Sequence, residues 1–241
     1  MITNLAPAKI NLTLDVQPKV PGADFHKIET IYHLLDWGDT MTMEGADIFT
    51  IEGDFDCSLK DNLIYKAWQL TGHQTPVKVT VDKQIPVGGG LGGGSSNAAT
   101  FLKMYGEFCK KDFITTELIE QAGGLGKDIP FFLSGHKCAL GTGFGEIIKL
   151  LDFDFAGTPI YLYTSGQKSD TGTQYQALQN FDTNHTQEFL KQPDLKNCGN
   201  TFDQLRQPKI PTLHMCGSGS TLWSVEDLEM EGYQKIKTQL L

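Results

Sequence analysis

Six of the seven residues from Gly88 to Gly94 are glycine, in the run Pro86-Val87-Gly88-Gly89-Gly90-Leu91-Gly92-Gly93-Gly94-Ser95-Ser96-Asn97. The run follows Val77-Lys78-Val79-Thr80-Val81, which alternates with period two like a half-buried strand. It precedes Ala98, Ala99, Phe101, Leu102, Met104 and Tyr105 at helical spacing. Such glycine density costs backbone entropy and calls for a compensating reason. A polyanion held by main-chain amides is one: without side chains the backbone approaches phosphate oxygens closely, and the following helix aims its free N–H groups at the same point. Ser95 and Ser96 would add hydroxyls there, as phosphate donors or as a magnesium ligand. The alternative is a flexible linker, but linkers seldom join a strong strand to an amphipathic helix.

Two familiar phosphate loops do not fit this run. Gly88-x-Gly90-x-x-Gly93 satisfies the dinucleotide pattern formally, but that pattern needs a parallel strand-helix-strand unit and an acidic residue about 20 positions on. Asp112 stands near that distance, followed by helix signals. No G-x-x-x-x-G-K-[ST] occurs. A third kind of phosphate loop is required.

Around this run, Ile10, Leu12, Leu14 and Val16 alternate with Lys9, Asn11, Thr13 and Asp15, which predicts a half-buried strand from Ala8 to Val16 with Lys9 and Asn11 on its polar face. Short strands are expected at Met41–Met43, Ile48–Ile51 and Ile160–Tyr163. A helix is expected over Asn62–Leu70, and another after a Thr115 or Thr116 cap, ending at Gly123-Gly124. Thr164 to Gly172 is a second polar, glycine-containing segment. The early part of the chain thus reads as a mostly antiparallel sheet with helices, an α+β pattern.

Bulk properties exclude several functions. A net charge of −9 over 241 residues disfavours nucleic acid or an anionic membrane as partner, since basic residues are not clustered. Five cysteines, Cys57, Cys109, Cys138, Cys198 and Cys216, form no C-x-x-C, which suggests neither a zinc site nor a disulfide framework and fits a reducing cytoplasm. Neither an export signal nor about 18 consecutive apolar residues is found, so a soluble, cytoplasmic protein is expected.

Pro7-Ala8-Lys9-Ile10-Asn11-Leu12, the glycine run and Gly217-Ser218-Gly219-Ser220-Thr221 together resemble the three ordered motifs of the GHMP kinases. Within that superfamily, Asp24-Phe25-His26, Asn62-Leu63-Ile64, Gly126-Lys127-Asp128-Ile129-Pro130-Phe131-Phe132 and Gly143-x-Gly145-Glu146 resemble the diphosphocytidyl-methylerythritol kinases. The resemblance implies an α+β, two-domain fold: an N-terminal domain like ribosomal protein S5 over residues 1–155 and a smaller, ferredoxin-like domain over 156–241, the boundary near Asp154 to Pro159. The active site would lie in the cleft between them. It implies transfer of the ATP γ-phosphate to the 2-hydroxyl of a cytidine diphosphate derivative, with Mg2+ and metal ligands the sequence does not name.

Carried onto single residues, the resemblance makes Lys9 and Asp128 catalytic and residues 86–96 the ATP loop. Asn11, Phe25, His26 and Tyr175 would hold the substrate. Each has a plainer reading: a solvated lysine, an edge hydrogen bond for Asn11, a helix cap for Asp128 before Ile129-Pro130, a structural histidine, core packing for Tyr175. Phe25 stands where the family has tyrosine, Lys127 where alanine is common, and Cys216 where serine begins the third motif; the second domain is short for the family. The competing activities are phosphorylation of mevalonate, homoserine or a sugar, which offer no base for Phe25-His26 to recognise, and a catalytically silent nucleotide sensor.

Overall fold

A computed structural model describes the whole chain except Asp24, His73, Gln74 and Asp154; the first member of the Asp24-Phe25-His26 motif and the first residue of the expected boundary lie outside the described residues. The chain divides into two compact units, each assembled from three segments. The first comprises Met1–Ala8, Trp37–Ile85 and Gly92–Gly135; the second comprises Lys9–Asp36, Pro86–Leu91 and His136–Leu241. Strands β1 (Ile2–Val16) and β2 (Ile28–Gly45) contribute to both.

In the first unit, β2 pairs antiparallel with β4 (Val77–Asp82) from Thr40 opposite Asp82 to Gly45 opposite Val77. β3 (Thr50–Glu52) lies parallel to β4. Four helices pack on one another: α1 (Leu63–Leu70), α2 (Gly93–Cys109), α3 (Thr116–Leu125) and α4 (Ile129–Leu133). Their starts are local chemistry. Asn62 accepts from the Ile64 amide at 2.9 Å and Thr115 from the Leu118 amide at 3.2 Å, each satisfying a donor that a helix N-terminus leaves open. The expected stop at Gly123-Gly124 is corrected: α3 runs on to Leu125 and ends at Gly126. Ala122 and Gly123 are buried among helices α1 and α4, so close packing outweighs the cost of about 1 kcal/mol per helical glycine. An aromatic core joins sheet to helices: Phe49 stacks on Trp68 at 4.2 Å and meets Phe101 edge-on at 6.0 Å, and Phe101 stacks on Tyr105.

In the second unit, β2 pairs antiparallel with β5 (Cys138–Thr142), and β5 with β6 (Ile147–Leu150). β1 runs parallel to the short β8 (Gly199–Asn200). A separate four-stranded antiparallel sheet has the order β11-β7-β10-β9, where β7 is Pro159–Thr164, β9 His214–Met215, β10 Leu222–Ser224 and β11 Gln234–Gln239. Helices α5 (Thr171–Ala177) and α6 (His185–Lys191) complete the unit. Leu14, Val16, Ile28, Tyr163, Phe202, Leu213 and Leu222 share its core.

The half-buried strand expected from Ala8 to Val16 is buried on both faces. The polar face is covered because its residues serve as partners. Thr13 bonds Thr186 at 2.8 Å, and the Asp15 carboxylate accepts from the His185 and Thr186 amides at 3.0 and 2.7 Å, holding the first turn of α6.

Candidate active site

Lys9 is 3% exposed, which rules out a solvated lysine. Its ammonium donates to Asn11 Oδ1 at 2.7 Å, Asn11 Nδ2 donates to Thr30 Oγ1 at 2.7 Å, and the Thr30 hydroxyl donates to the Thr13 carbonyl at 2.6 Å. The order is forced from its far end. A carbonyl can only accept, so Thr30 must donate to it and accept from Asn11, which leaves the Asn11 oxygen for Lys9. A fixed relay of neutral groups thus aims one cation. The same ammonium lies 5.5 Å from the Tyr32 ring centre and 3.4 Å from where a Cβ on Gly217 would stand.

The third glycine motif reaches Lys9 because Asn200 donates to the Met215 and Gly217 carbonyls at 2.8 and 2.9 Å. It also braces the glycine run. The Ser220 and Thr221 amides donate to the Gly88 and Gly89 carbonyls at 3.2 and 3.3 Å. A Cβ on Gly90 would overlap the Cys216 carbonyl oxygen, and one on Gly89 would crowd Thr221 Oγ1. Part of the glycine density therefore serves backbone-to-backbone packing within this unit. Gly88, Gly90 and Gly92 also hold φ of +74°, +80° and +73°, a region other residues enter at a cost. Cys216 is fully buried, and burial pushes its thiol up against the opposing charge of Lys9.

In the first unit, Gly92 precedes the first turn of α2 and its carbonyl accepts from the Ser96 amide at 2.8 Å. Ser96 Oγ is fully buried and has no hydrogen-bond partner among the described residues. Beside it, Ser95 Oγ lies 3.0 Å from where a Gly126 Cβ would stand, so the helix start meets the Gly126-Lys127-Asp128 turn. Asp128 occupies the N-cap position of α4, yet its side chain makes no capping bond. Lys103, on α2, donates to the Phe132 carbonyl at 2.6 Å and so ties α4 to α2; burial pulls its ammonium pKa down.

The aromatic residues separate into two groups. His26 stacks with Tyr175 (ring centres 5.3 Å, planes at 28°) and with Phe181 (5.5 Å, 10°). Phe25 is 61% exposed and meets Phe144 edge-on at 5.9 Å. His26 Nδ1 lies 2.8 Å from the Gln17 carbonyl. A carbonyl requires Nδ1 to carry the proton, so in the neutral ring Nε2 is an acceptor.

Residues 62–136 match the GHMP kinase N-terminal domain family. A 4-diphosphocytidyl-2-C-methyl-D-erythritol kinase of Sulfurihydrogenibium sp. (strain YO3AOP1) is 40% identical over 177 residues, 70% of this chain and 62% of that protein. One from Psychrobacter cryohalolentis is 28% identical over 92% of this chain and 88% of its own length. The crystal structure of a 4-(cytidine 5'-diphospho)-2C-methyl-D-erythritol kinase superposes with a TM-score of 0.74 at 26% identity, covering 92% of this chain and 89% of that one. The chain thus carries a match to the GHMP kinase N-terminal domain over residues 62–136 and has the GHMP kinase fold over most of its length. Methanococcus jannaschii mevalonate kinase shares the fold at a TM-score of 0.70 and 11% identity. The chain spans about six tenths of the length of the first relatives it matches, 62% and 63%.

Set on this GHMP kinase fold, the expected site residues fall into groups by unit. The second unit brings together Lys9, Asn11, the run Pro86–Leu91 and the third motif, and separately His26 with Tyr175. The first unit holds Gly92, Gly93, Gly94, Ser95, Ser96 and Asp128. Val87 is 41% exposed. Sequence reasoning missed Phe181, an isolated aromatic in a polar stretch, and Thr30, one threonine on an apolar strand. Only three-dimensional pairing marks either of them.

Proposed function

We propose that the chain is a GHMP kinase that transfers the γ-phosphate of ATP to the 2-hydroxyl of 4-diphosphocytidyl-2-C-methyl-D-erythritol, as a soluble enzyme of the cytoplasm in the non-mevalonate route to isoprenoid precursors. The observation that carries the kinase reading is the start of α2. A buried hydroxyl without a partner among the described residues, on Ser96, stands in the first turn of a helix after a glycine run, against the turn that bears an aspartate not spent on capping. Buried polar groups are normally satisfied, and a phosphate oxygen or a metal would satisfy Ser96. The substrate name comes from the relatives, and His26 supports it: Nε2 as acceptor matches the N4 amino group of cytosine, where uracil offers only an acceptor.

In this reading Asp128 takes the proton of the substrate hydroxyl as its oxygen bonds the γ-phosphorus, the bond from that phosphorus to the β-phosphate oxygen breaks, and ADP leaves. Lys9, aimed by Asn11, offsets charge on the transferring group. Phosphoryl transfer depends mainly on such positioning and electrostatics. Among the described residues no group of three or more His, Cys, Asp or Glu forms a metal cage. That suits Mg2+, which keeps several waters and is commonly held through substrate phosphates, and the Ser96 hydroxyl is a fitting protein ligand. Mg2+ would supply charge neutralisation on the phosphates. Among the described residues no cysteine forms a disulfide, in accord with a reducing compartment, and no helix among them is long and apolar enough to cross a membrane.

The test is incubation of the purified protein with ATP, Mg2+ and the cytidine diphosphate substrate, with mevalonate, homoserine and galactose in parallel. ADP and a phosphomonoester are expected only with the first acceptor. Turnover of another acceptor would reassign the substrate, and no turnover of any would favour the silent sensor.

A further inference from the structure

Asp39 is fully buried, and a buried carboxylate is costly unless its oxygens are satisfied. Four donors converge on it. Oδ1 accepts from the Gln84 and Ile85 amides at 2.7 and 2.8 Å; Oδ2 accepts from Asn97 Nδ2 at 2.8 Å and from the Lys83 ammonium. Lys83 also donates to Asn97 Oδ1 at 3.1 Å, closing a three-membered network. All of these groups belong to the first unit.

Their place along the chain gives the network its meaning. Thr40 is paired with Asp82, so Asp39 lies just where the β2–β4 ladder ends and the chain leaves β4. Gln84 and Ile85 are the last residues before Pro86, and Asn97 stands in the second turn of α2, just past the glycine run. One carboxylate on β2 therefore grips the entrance and the exit of the run. A glycine-rich segment has little conformational preference of its own, so its ends must be fixed for its amides to converge. Gly38, next to Asp39, admits no Cβ without striking the Ala6 carbonyl, which fixes the strand that carries the carboxylate.

We infer that Asp39 is a positioning residue for the phosphate-binding loop, setting ATP affinity by holding both ends of that loop without touching the nucleotide. The inference rests on the proposed function for the loop's role, and on the geometry alone for the anchoring.

The experiment compares Asp39→Ala with Asp39→Asn, whose carboxamide oxygen retains the two backbone bonds. Two readouts apply: KM for ATP against KM for the alcohol substrate, and hydrogen exchange of the amides from Gln84 to Asn97 without nucleotide. Hydrogen bonds to a charged acceptor are strong enough that Asp39→Ala is expected to raise KM for ATP by about 10-fold or more, with KM for the alcohol nearly unchanged and faster exchange at Gln84 and Ile85. Asp39→Asn should recover a large part of both effects. A purely structural role would lower thermal stability in both variants and move the two KM values together. If Asp39→Ala does not fold, Asn97→Ala removes one partner, and the same split at smaller size is expected. An active parent enzyme whose folded variants keep the parent's KM for ATP and exchange pattern overturns the inference alone. A parent that transfers no phosphate, yet shows the exchange difference, overturns the proposed function and supports the anchoring.

Discussion

Lys9 acquires its meaning from burial. In sequence it is the polar half of an alternating strand, and alternation alone predicts solvent on that side. At 3% exposure an ammonium must be satisfied, and the relay through Asn11 and Thr30 supplies one fixed oxygen that orients it. His26 shows the same dependence on surroundings. The Gln17 carbonyl fixes which ring nitrogen accepts, which sequence adjacency to Phe25 does not convey. Base choice by an edge hydrogen bond and base affinity by stacking are separable. His26→Ala is accordingly expected to reduce the preference for the cytidine substrate over its uridine analogue by about 10-fold; competition kinetics with both substrates checks it, and an undiminished preference would move base reading elsewhere. Lys9, Asp128 and His26 were legible as candidates through their motifs. Thr30 and Phe181 were not, because nothing in one dimension shows what an isolated threonine or phenylalanine touches.

At the scale of elements, the glycine run combines two requirements that look alike in sequence. Gly89 and Gly90 pack against Thr221 Oγ1 and the Cys216 backbone within the second unit, whereas Gly94, in the first turn of α2, would meet among the described residues only Leu63 Cδ1 at 3.5 Å if given a Cβ. The two substitutions should therefore differ. Gly90→Ala, with φ at +80° and a backbone oxygen in the way, is expected to weaken ATP binding severely and to lower the melting temperature. Gly94→Ala should leave the melting temperature the same or slightly higher, because alanine is favoured over glycine in a helix by up to about 1 kcal/mol. Calorimetric melting and nucleotide titration of both variants decide; equal damage would mean that the run tolerates no side chain for a reason other than these contacts. The strand before the run and the helix after it were readable from periodicity, as was the Asn62 cap of α1. The continuation of α3 through Gly123-Gly124 was not, since the stop signal is local and the burial that overrides it is not.

For the whole molecule, the chain order conceals the organisation. Each compact unit takes three separate segments, and the glycine run itself divides at Leu91 and Gly92. Short-range patterns report helices and strands, but the β1–β8 pairing joins Thr13 to Gly199 and the β11–β7 ladder joins Gln234 to Thr164. Such long-range partners leave no local trace. What did carry over to the whole was the family resemblance, spread across three ordered motifs. The central claim is that Asp128 is the base of a phosphoryl transfer, and single-turnover transfer from ATP to the cytidine diphosphate substrate, at saturating concentrations of both, tests it most directly. General-base assistance is worth about 10²–10⁴-fold, so Asp128→Asn should transfer more slowly by that factor while binding ATP nearly as the parent does. Transfer by a folded Asp128→Asn within a few-fold of the parent rate would contradict the claim.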